Sequence, residues 1–299
     1  MGGLSNRLFG ILVVLSKKQL LSWMDSKTYI RLMYRLSSGK KLNLEDPKLF
    51  GEKLQWLKLH DDQLQYKDLV DKYAVKDYVA GIIGQQYIIP TLGVWDKFDD
   101  IDFSGLPDRF VLKCTHDSGG LVICKDKRTL DIRDAKQKID KCMKSNYFYV
   151  GREPPYRHVP HRIIAERYME NAQGEELADY KFYCFQGRPA YCQVISERRT
   201  SEKIDFFDMA WNHMDFTGFG SPLKPPSERP VPVPEGFDEM KKIAALLSKD
   251  IPFLRVDLYN IDGKPYFGEL TFFPASGFGR FEPDQYNGLI GDMIKLPEE

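Results

Sequence analysis

The spacing of apolar residues changes near Tyr87, and this change limits the folds open to the chain. Before it, apolar residues recur every three or four positions, as in Tyr29-Ile30-Arg31-Leu32-Met33-Tyr34 and Leu54-Gln55-Trp56-Leu57-Lys58-Leu59. That is the period of a helix with one buried face. A further helix is expected to open at Asp71, where the helix dipole favours an acid, and to end near Gly81. From Tyr87 onward, short apolar runs broken by turn residues read as strands, among them Tyr87-Ile88-Ile89-Pro90 and Phe110-Val111-Leu112-Lys113-Cys114. Helices are expected again over Ile132–Met143 and Phe237–Leu247. Residues 151–161, rich in proline and arginine, read as a surface loop, and six prolines within 221–236 exclude a helix or central strand there. The whole is an α+β chain with its helices first.

A chain of 299 residues, 42% of them apolar, can bury one large core or two smaller ones. Its 43 basic and 43 acidic residues cancel, which excludes the long-range positive field that nucleic-acid binding requires. The five cysteines are odd in number and form no CxxC pair of the kind a zinc site uses, so reduced thiols in a cytoplasmic protein are expected. The apolar run 8–15 is far shorter than the roughly 20 residues that span a bilayer, and no cleavage site follows it. It reads as a helix packed on the core. Peripheral membrane contact is the alternative, because Lys17 and Lys18 follow directly. Met1-Gly2 lacks the Ser or Thr at position 6 that myristoylation needs.

Three constellations could carry chemistry. In the first, Arg255 and Asp257 lie two apart on a strand over 253–259 and so project from one face, with Glu269 across a turn. A two-residue Asp262-Gly263 loop would turn Glu269 away from Asp257. A three-residue loop, Ile261-Asp262-Gly263, would set Glu269 opposite Arg255 and diagonal to Asp257, and this longer loop is what a shared site predicts. Two carboxylates completed by substrate oxygens suit Mg²⁺. In the second, Lys113 ends an apolar strand before Thr115-His116-Asp117-Ser118-Gly119-Gly120. Glycine amides can approach phosphate oxygens while the lysine supplies a point charge. This is not a P-loop, since a strand follows it rather than a helix. A His116–Asp117 catalytic dyad is disfavoured, because adjacent residues seldom face each other. In the third, Glu166-Arg167-Tyr168-Met169 closes an apolar strand, and Asp179 and Lys181 share a face of the strand after it, an arrangement suited to a nucleotide. Taken alone, each segment reads equally well as an ordinary hairpin with solvated charges.

In sequence, however, the order of strand lysine, glycine loop, Glu-Arg-Tyr-Met, Asp-x-Lys, Arg-x-Asp and a downstream Glu resembles the ATP-grasp enzymes. It looks closest to their TupA-like branch, named for teichuronopeptide synthesis and found in bacterial surface-polysaccharide loci. The segments that carry the likeness are Phe50-Gly51-Glu52-Lys53-Leu54-Gln55-Trp56-Leu57, Asp71-Lys72-Tyr73-Ala74-Val75, residues 110–120, Asp179–Phe185 and residues 268–281, of which the run from Gly268 to Phe278 is the most specific. The resemblance implies two α+β lobes gripping ATP between antiparallel sheets: a helical region over 1–90, an N-terminal lobe over 91–165 and a C-terminal lobe over 166–299.

It also implies roles. Lys113 and Lys181 would contact phosphates, and Asp117, Ser118, Gly119 and Gly120 would close over them. Glu166, Arg167, Tyr168 and Met169 would form the adenine hinge, and Asp179 would meet the ribose. Asp257 and Glu269 would hold Mg²⁺, and Arg255 the acyl phosphate. Most ATP-grasp ligases have Asn two residues after the metal-binding Glu, where this chain has Thr271; one ion is therefore expected and a second is left open. Ser276, Gly277, Arg280, Arg198 and Arg199 are candidate substrate contacts.

The implied activity is amide formation between a carboxylate and an amine through an acyl phosphate, the carboxylate being a uronic acid of a surface polysaccharide or its precursor and the amine an amino acid. Two alternatives stand beside it: a kinase of a sugar hydroxyl on the same fold, and a glycosyltransferase using Asp100-Ile101-Asp102. That tripeptide reads instead as a loop or helix cap. The oligomeric state is left open by the sequence.

Overall fold

A computed structural model describes residues 3–60, 63–117, 119–173, 177–197, 201–218 and 223–297. The chain begins with α1 (Gly3–Lys17), α2 (Ser26–Ser38), α3 (Phe50–His60), the single turn α4 (Lys67–Val70) and α5 (Ala74–Ile83). Local chemistry sets their ends. Asp25 accepts the Thr28 amide at 2.9 Å to start α2, which Gly39 closes in a left-handed conformation. Asp71 accepts the Tyr73 amide at 2.8 Å ahead of α5, which runs two residues past Gly81 to a cap at Gly84.

Strand structure begins at β1 (Thr91–Trp95), followed by β2 (Phe110–Cys114), β3 (Leu121–Cys124), α6 (Ile132–Met143), the turn α7 (Phe148–Gly151) and β4 (Ile163–Arg167). These four strands form one antiparallel sheet in the order β1-β4-β2-β3. Ala135, Ile139 and Cys142 of α6 pack with Phe110, Leu112 and Cys114 in a small core under it. Helix α6 spans the residues its periodicity predicts, with Asp131 accepting the Arg133 and Asp134 amides as its cap.

The second sheet holds β5 (Asp179–Phe185), β6 (Arg188–Ser196), β7 (Lys203–Asp208), β9 (Leu254–Ile261) and β10 (Lys264–Thr271), in the order β10-β9-β5-β6-β7. The short strand β8 (Thr217–Gly218) and helix α8 (Phe237–Leu247) lie between β7 and β9 in sequence; β11 (Phe281–Glu282) and α9 (Gln285–Gly291) follow β10. One face of the sheet is apolar: Phe182 stacks on Phe237 of α8 at 5.9 Å, with Val256 and Leu258 beside it in the core. At one end of the other face an aromatic cluster ties α3 to the sheet, Phe50 meeting Phe253 at 4.9 Å, Phe281 at 5.4 Å and Tyr183 at 6.4 Å. The N-terminal helices thus share one hydrophobic core with the second sheet.

The segment 151–161 departs from expectation. Arg152 and Glu153 are buried rather than on the surface. Arg152 lies over the Tyr29 ring and donates to the Leu21 carbonyl at 2.7 Å, so its charge is partnered by aromatic faces and backbone. Glu153 accepts the Ser276 hydroxyl at 2.6 Å. A composition rich in proline and arginine reads as solvated only when such partners are lacking.

Removing the Phe50 ring empties the junction between helical region and sheet. Phe50→Ala should cost about 3–5 kcal/mol, read as a lowered denaturant midpoint.

Candidate active site

The second sheet places its charged residues in rows. Lys181, Asp257 and Glu269 are direct partners across β5, β9 and β10, and Tyr183, Arg255 and Thr271 form the next row on the same face. The loop between β9 and β10 is Asp262-Gly263, both residues at positive φ, and Ile261 pairs with Lys264. This overturns the three-residue loop and the Glu269–Arg255 pairing expected from sequence. The shared site survives because of a β-bulge between Phe267 and Glu269, which shifts the register by one residue and returns Glu269 to the Asp257 face. Gly268 is the bulged residue, and a Cβ there would lie 2.9 Å from the Asp257 carbonyl oxygen. The turn chemistry was readable; the bulge that compensates for it was signalled only by that glycine.

Asp257 is 2% exposed. Arg255 grips it with both ends of its guanidinium, Nε to Oδ1 and Nη2 to Oδ2, each at 2.7 Å, and Lys181 Nζ also reaches Oδ2. Arg255 Nη2 further reaches Glu269 Oε1 at 3.3 Å and Thr271 Oγ1 at 3.0 Å, while Lys181 lies 3.3 Å from Asp179. Burial pushes the Asp257 carboxyl above its ordinary value against the pull of Arg255 and Lys181. The two-pronged guanidinium contact holds it as a carboxylate. For Glu269, burial works in the same direction but is outweighed by Lys181, Lys72 and Arg255, which draw its carboxyl down to about 2. Its side chain is 43% accessible, so solvent screens part of this field.

Three carboxylates (Asp179, Asp257, Glu269) are thus matched by Lys181 and Arg255 within the sheet and by Lys72 beside Glu269. Two hard-oxygen carboxylates directly opposite each other, one of them open to solvent, fit Mg²⁺, which completes its shell with water and substrate oxygens. Among the described residues no cluster of three His, Cys, Asp or Glu side chains forms a closed protein cage. Thr271 is engaged by Arg255 and donates weakly to Glu269 at 3.4 Å.

On the first sheet, Lys113 and Glu166 are brought together at 2.6 Å, and Lys76 of α5 grips the other Glu166 oxygen. Burial alone would raise the Glu166 carboxyl, but Lys113 and Lys76 bring it below its ordinary value. Lys76, which also donates to the Ile89 carbonyl at 2.8 Å, had not been singled out from sequence. Its signal was position: Lys76 lies in the first turn of α5, five residues after Asp71. Lys72 donates to the Asp117 carbonyl at 2.7 Å, fastening the glycine loop to the helical region.

In the segment 166–169, Arg167 is exposed and its amide donates to the Pro90 carbonyl, while one face of Tyr168 is covered by Arg109 at 4.5 Å. The Asp117 carboxylate points back to Ser145 Oγ at 2.6 Å and to the Gly119 amide at 3.2 Å. Gly120 sits where a Cβ would strike the sulfurs of Cys114 and Cys142, and Gly119 is exposed at the loop tip. His116 stacks on His161 at 3.7 Å instead of pairing with Asp117, as adjacency implied.

Ser276 and Gly277 are buried. Ser276 is bound through its hydroxyl by Glu153 and through its carbonyl by Lys58 and Gln55, and Arg280 pairs with Glu282 at 2.8 Å. Ser118, Arg198 and Arg199 lie outside the described residues. Asp102 accepts the Ser104 amide at 2.9 Å beside a buried Ile101, the cap its sequence suggests.

Two antiparallel sheets, a glycine loop with a strand lysine on one and a cation-held carboxylate pair on the other, define an ATP-grasp protein. The sequence matches the TupA-like ATPgrasp family over residues 52–295, and the chain belongs to that family. No curated protein matches it. Among solved structures it resembles, at the level of fold, an L-amino acid ligase from Bacillus licheniformis (13% identity, 93% of this chain and 64% of that one, TM-score 0.45). D-alanine–D-alanine ligase from Bacillus anthracis complexed with ATP is similar at 18% identity over 70% of this chain and 55% of that one, TM-score 0.41. A third, the ATP-grasp ligase PsnB complexed with minimal precursor, Mg and ADP, matches at 10% identity over 85% of this chain and 64% of that one, TM-score 0.36. The chain thus spans between half and two thirds of the length of these proteins.

A branched side chain at the bulge should push β10 out of register. Gly268→Val is expected to abolish Mg-dependent ATP binding, measured by calorimetry, while far-UV circular dichroism stays unchanged. A second expectation concerns His116, whose imidazole burial and the neighbouring His161 pull down to about 4. The fold holds that proton less tightly than an unfolded chain, so the group adds stability that is complete above about pH 6.5 and lost as pH falls through about 4. The effect should be on the order of 3 kcal/mol between those limits, and in His116→Gln the unfolding free energy should vary less with pH across this window.

Proposed function

We propose that this chain is an ATP-dependent carboxylate–amine ligase. The observation that supports this best is the row Lys181–Asp257–Glu269 with Arg255 forked onto its centre. In this reading Lys113 and Lys181 meet the nucleotide phosphates, the 117–120 loop covers them, the segment 166–169 borders the base and Asp179 the ribose. Asp257 and Glu269 would hold one Mg²⁺, which offsets charge on the transferring phosphoryl group when bound. With its hydroxyl already committed to Arg255, Thr271 makes a poor ligand for a second ion.

The substrate carboxylate oxygen attacks the terminal phosphorus of ATP, the bond to ADP breaks, and an acyl phosphate results. The amine then attacks the acyl carbon, phosphate leaves, the nitrogen loses a proton and an amide forms. In this reading Arg255 steadies the phosphoryl oxygens through both steps. The segment 276–280, together with Arg198 and Arg199, would line the acceptor side. A hexuronic acid of a surface polysaccharide or its precursor as the carboxylate, and an amino acid as the amine, is the pairing we favour. We propose regions 1–90, 91–165 and 166–299 as the helical region and two lobes, the last boundary falling within β4. ATP as co-substrate and five free cysteines support a cytoplasmic site of action, and no described helix is long and apolar enough to cross a bilayer.

The test is a screen for ADP release over paired carboxylates and amines, with product mass as readout. The expected product weighs the sum of the two substrates less one water; a gain of phosphate instead would make the enzyme a kinase. Glu269→Gln should lower ADP release by about 100-fold, the scale of losing one charge-stabilising group, and a chelator should stop it. Absence of amine-dependent ADP with every pair, together with no binding of Mg-ATP, would sink the reading.

A further inference from the structure

Helix α1 presents two different faces. Phe9, Leu12 and Val13 pack on the core, and Ser16 is buried with its hydroxyl 2.8 Å from Tyr29 Oη. The opposite face holds Leu4, Leu8, Ile11 and Val14 in solvent, and the turn beyond adds Leu20 and Trp23, the last 77% exposed. Six large apolar side chains in one continuous stretch exceed the scatter of single surface residues that any soluble protein shows.

The charge around this patch is one-sided. Residues 3–24 contain no acid, although acids and bases balance over the whole chain, and the exposed Arg7, Lys17 and Lys18 are interleaved with the apolar residues. Trp23 also lies on a cleft of about 530 Å³ whose lining includes Arg152, Arg157 and His158, and Asp25, the acid among its lining residues, caps α2. A 15-residue helix is about 22 Å long, too short to cross a bilayer but suited to lying in its plane. Pairing of this face with a second copy would bring three cations against three cations.

We propose that α1 and the following turn dock the protein on an anionic lipid bilayer, with Leu8, Ile11 and Trp23 entering the acyl boundary and Arg7, Lys17 and Lys18 among the headgroups. The docking is separate from the chemistry, since none of these residues belongs to the nucleotide site. It would hold the catalytic sheets beside the membrane surface and present them to acceptors carried there.

Flotation of the full chain with phosphatidylcholine vesicles, with and without phosphatidylglycerol, tests this. At least tenfold more protein should float with the anionic vesicles, the Trp23 emission should shift to shorter wavelength, and this shift should be absent in Trp23→Phe. Leu8→Glu/Ile11→Glu and Lys17→Glu/Lys18→Glu should each cut flotation about tenfold while Mg-ATP binding is kept. Three results would overturn the proposal: no flotation, equal flotation with neutral and anionic vesicles, or a concentration-dependent dimer that Leu8→Glu dissolves, which would assign the face to a second copy.

Discussion

Asp257 is a carboxylate with almost no access to water, and a charge so placed persists only with cations in contact. Arg255, two residues away on the same strand, and Lys181, on the adjacent strand, supply them. The requirement reaches well beyond the three side chains. It fixes β5 beside β9, makes one face of the sheet polar while α8 covers the other, and leaves the outer strand to bring in the second carboxylate. A regular two-residue hairpin would have turned Glu269 away. One unpaired glycine in β10 restores it, so the site depends on a defect in a ladder rather than on the ladder itself.

The same hairpin is held from below by the helical region. Ala275 and Ser276 adopt left-handed backbone conformations that non-glycine residues avoid. Such conformations persist where their surroundings overdetermine them, and here Lys58 and Gln55 of α3 donate to the Ser276 carbonyl while Glu153 accepts its hydroxyl. Lys58 also donates to the Gly151 carbonyl at 2.7 Å. One buried lysine thereby joins three chain segments that are far apart in sequence and fixes the loop that leaves β10. The helices before residue 90 are part of the site's support.

What the sequence made legible follows from the range of the forces involved. Helices α6 and α8 were recovered to the residue because caps and a 3.6-residue period are local signals. The common face of Asp179 and Lys181 and that of Arg255 and Asp257 were legible because two-residue spacing is also local, and Lys113 was legible as a strand residue ahead of a glycine loop. The register of β10 was not, because it is set by a bulge whose value appears only when Asp257 is known to need a partner face. Lys76 looked like any helix-surface lysine, and only the folded chain shows that Glu166 lies against it. Arg152 and Glu153 were misread for the same reason: their burial is satisfied by Tyr29, Leu21 and Ser276, none of them nearby in sequence.

The two sheets treat charge in opposite ways, and the difference bears on how a nucleotide would lie between them. On the first, Glu166 is flanked by Lys113 and Lys76, which leaves one positive charge in excess. A phosphate can approach there without help. On the second, Lys181, Arg255 and the nearby Lys72 are already matched against three carboxylates, so no positive charge is left over for a phosphate arriving alone. A divalent cation would supply it. On the proposed reading, the part of a polyphosphate held on the second sheet would therefore depend on metal, while the part held at Lys113 would not. On the proposed reading, this asymmetry directs the terminal phosphoryl group toward Asp257, Glu269 and Arg255, where its transfer can be electrostatically stabilised.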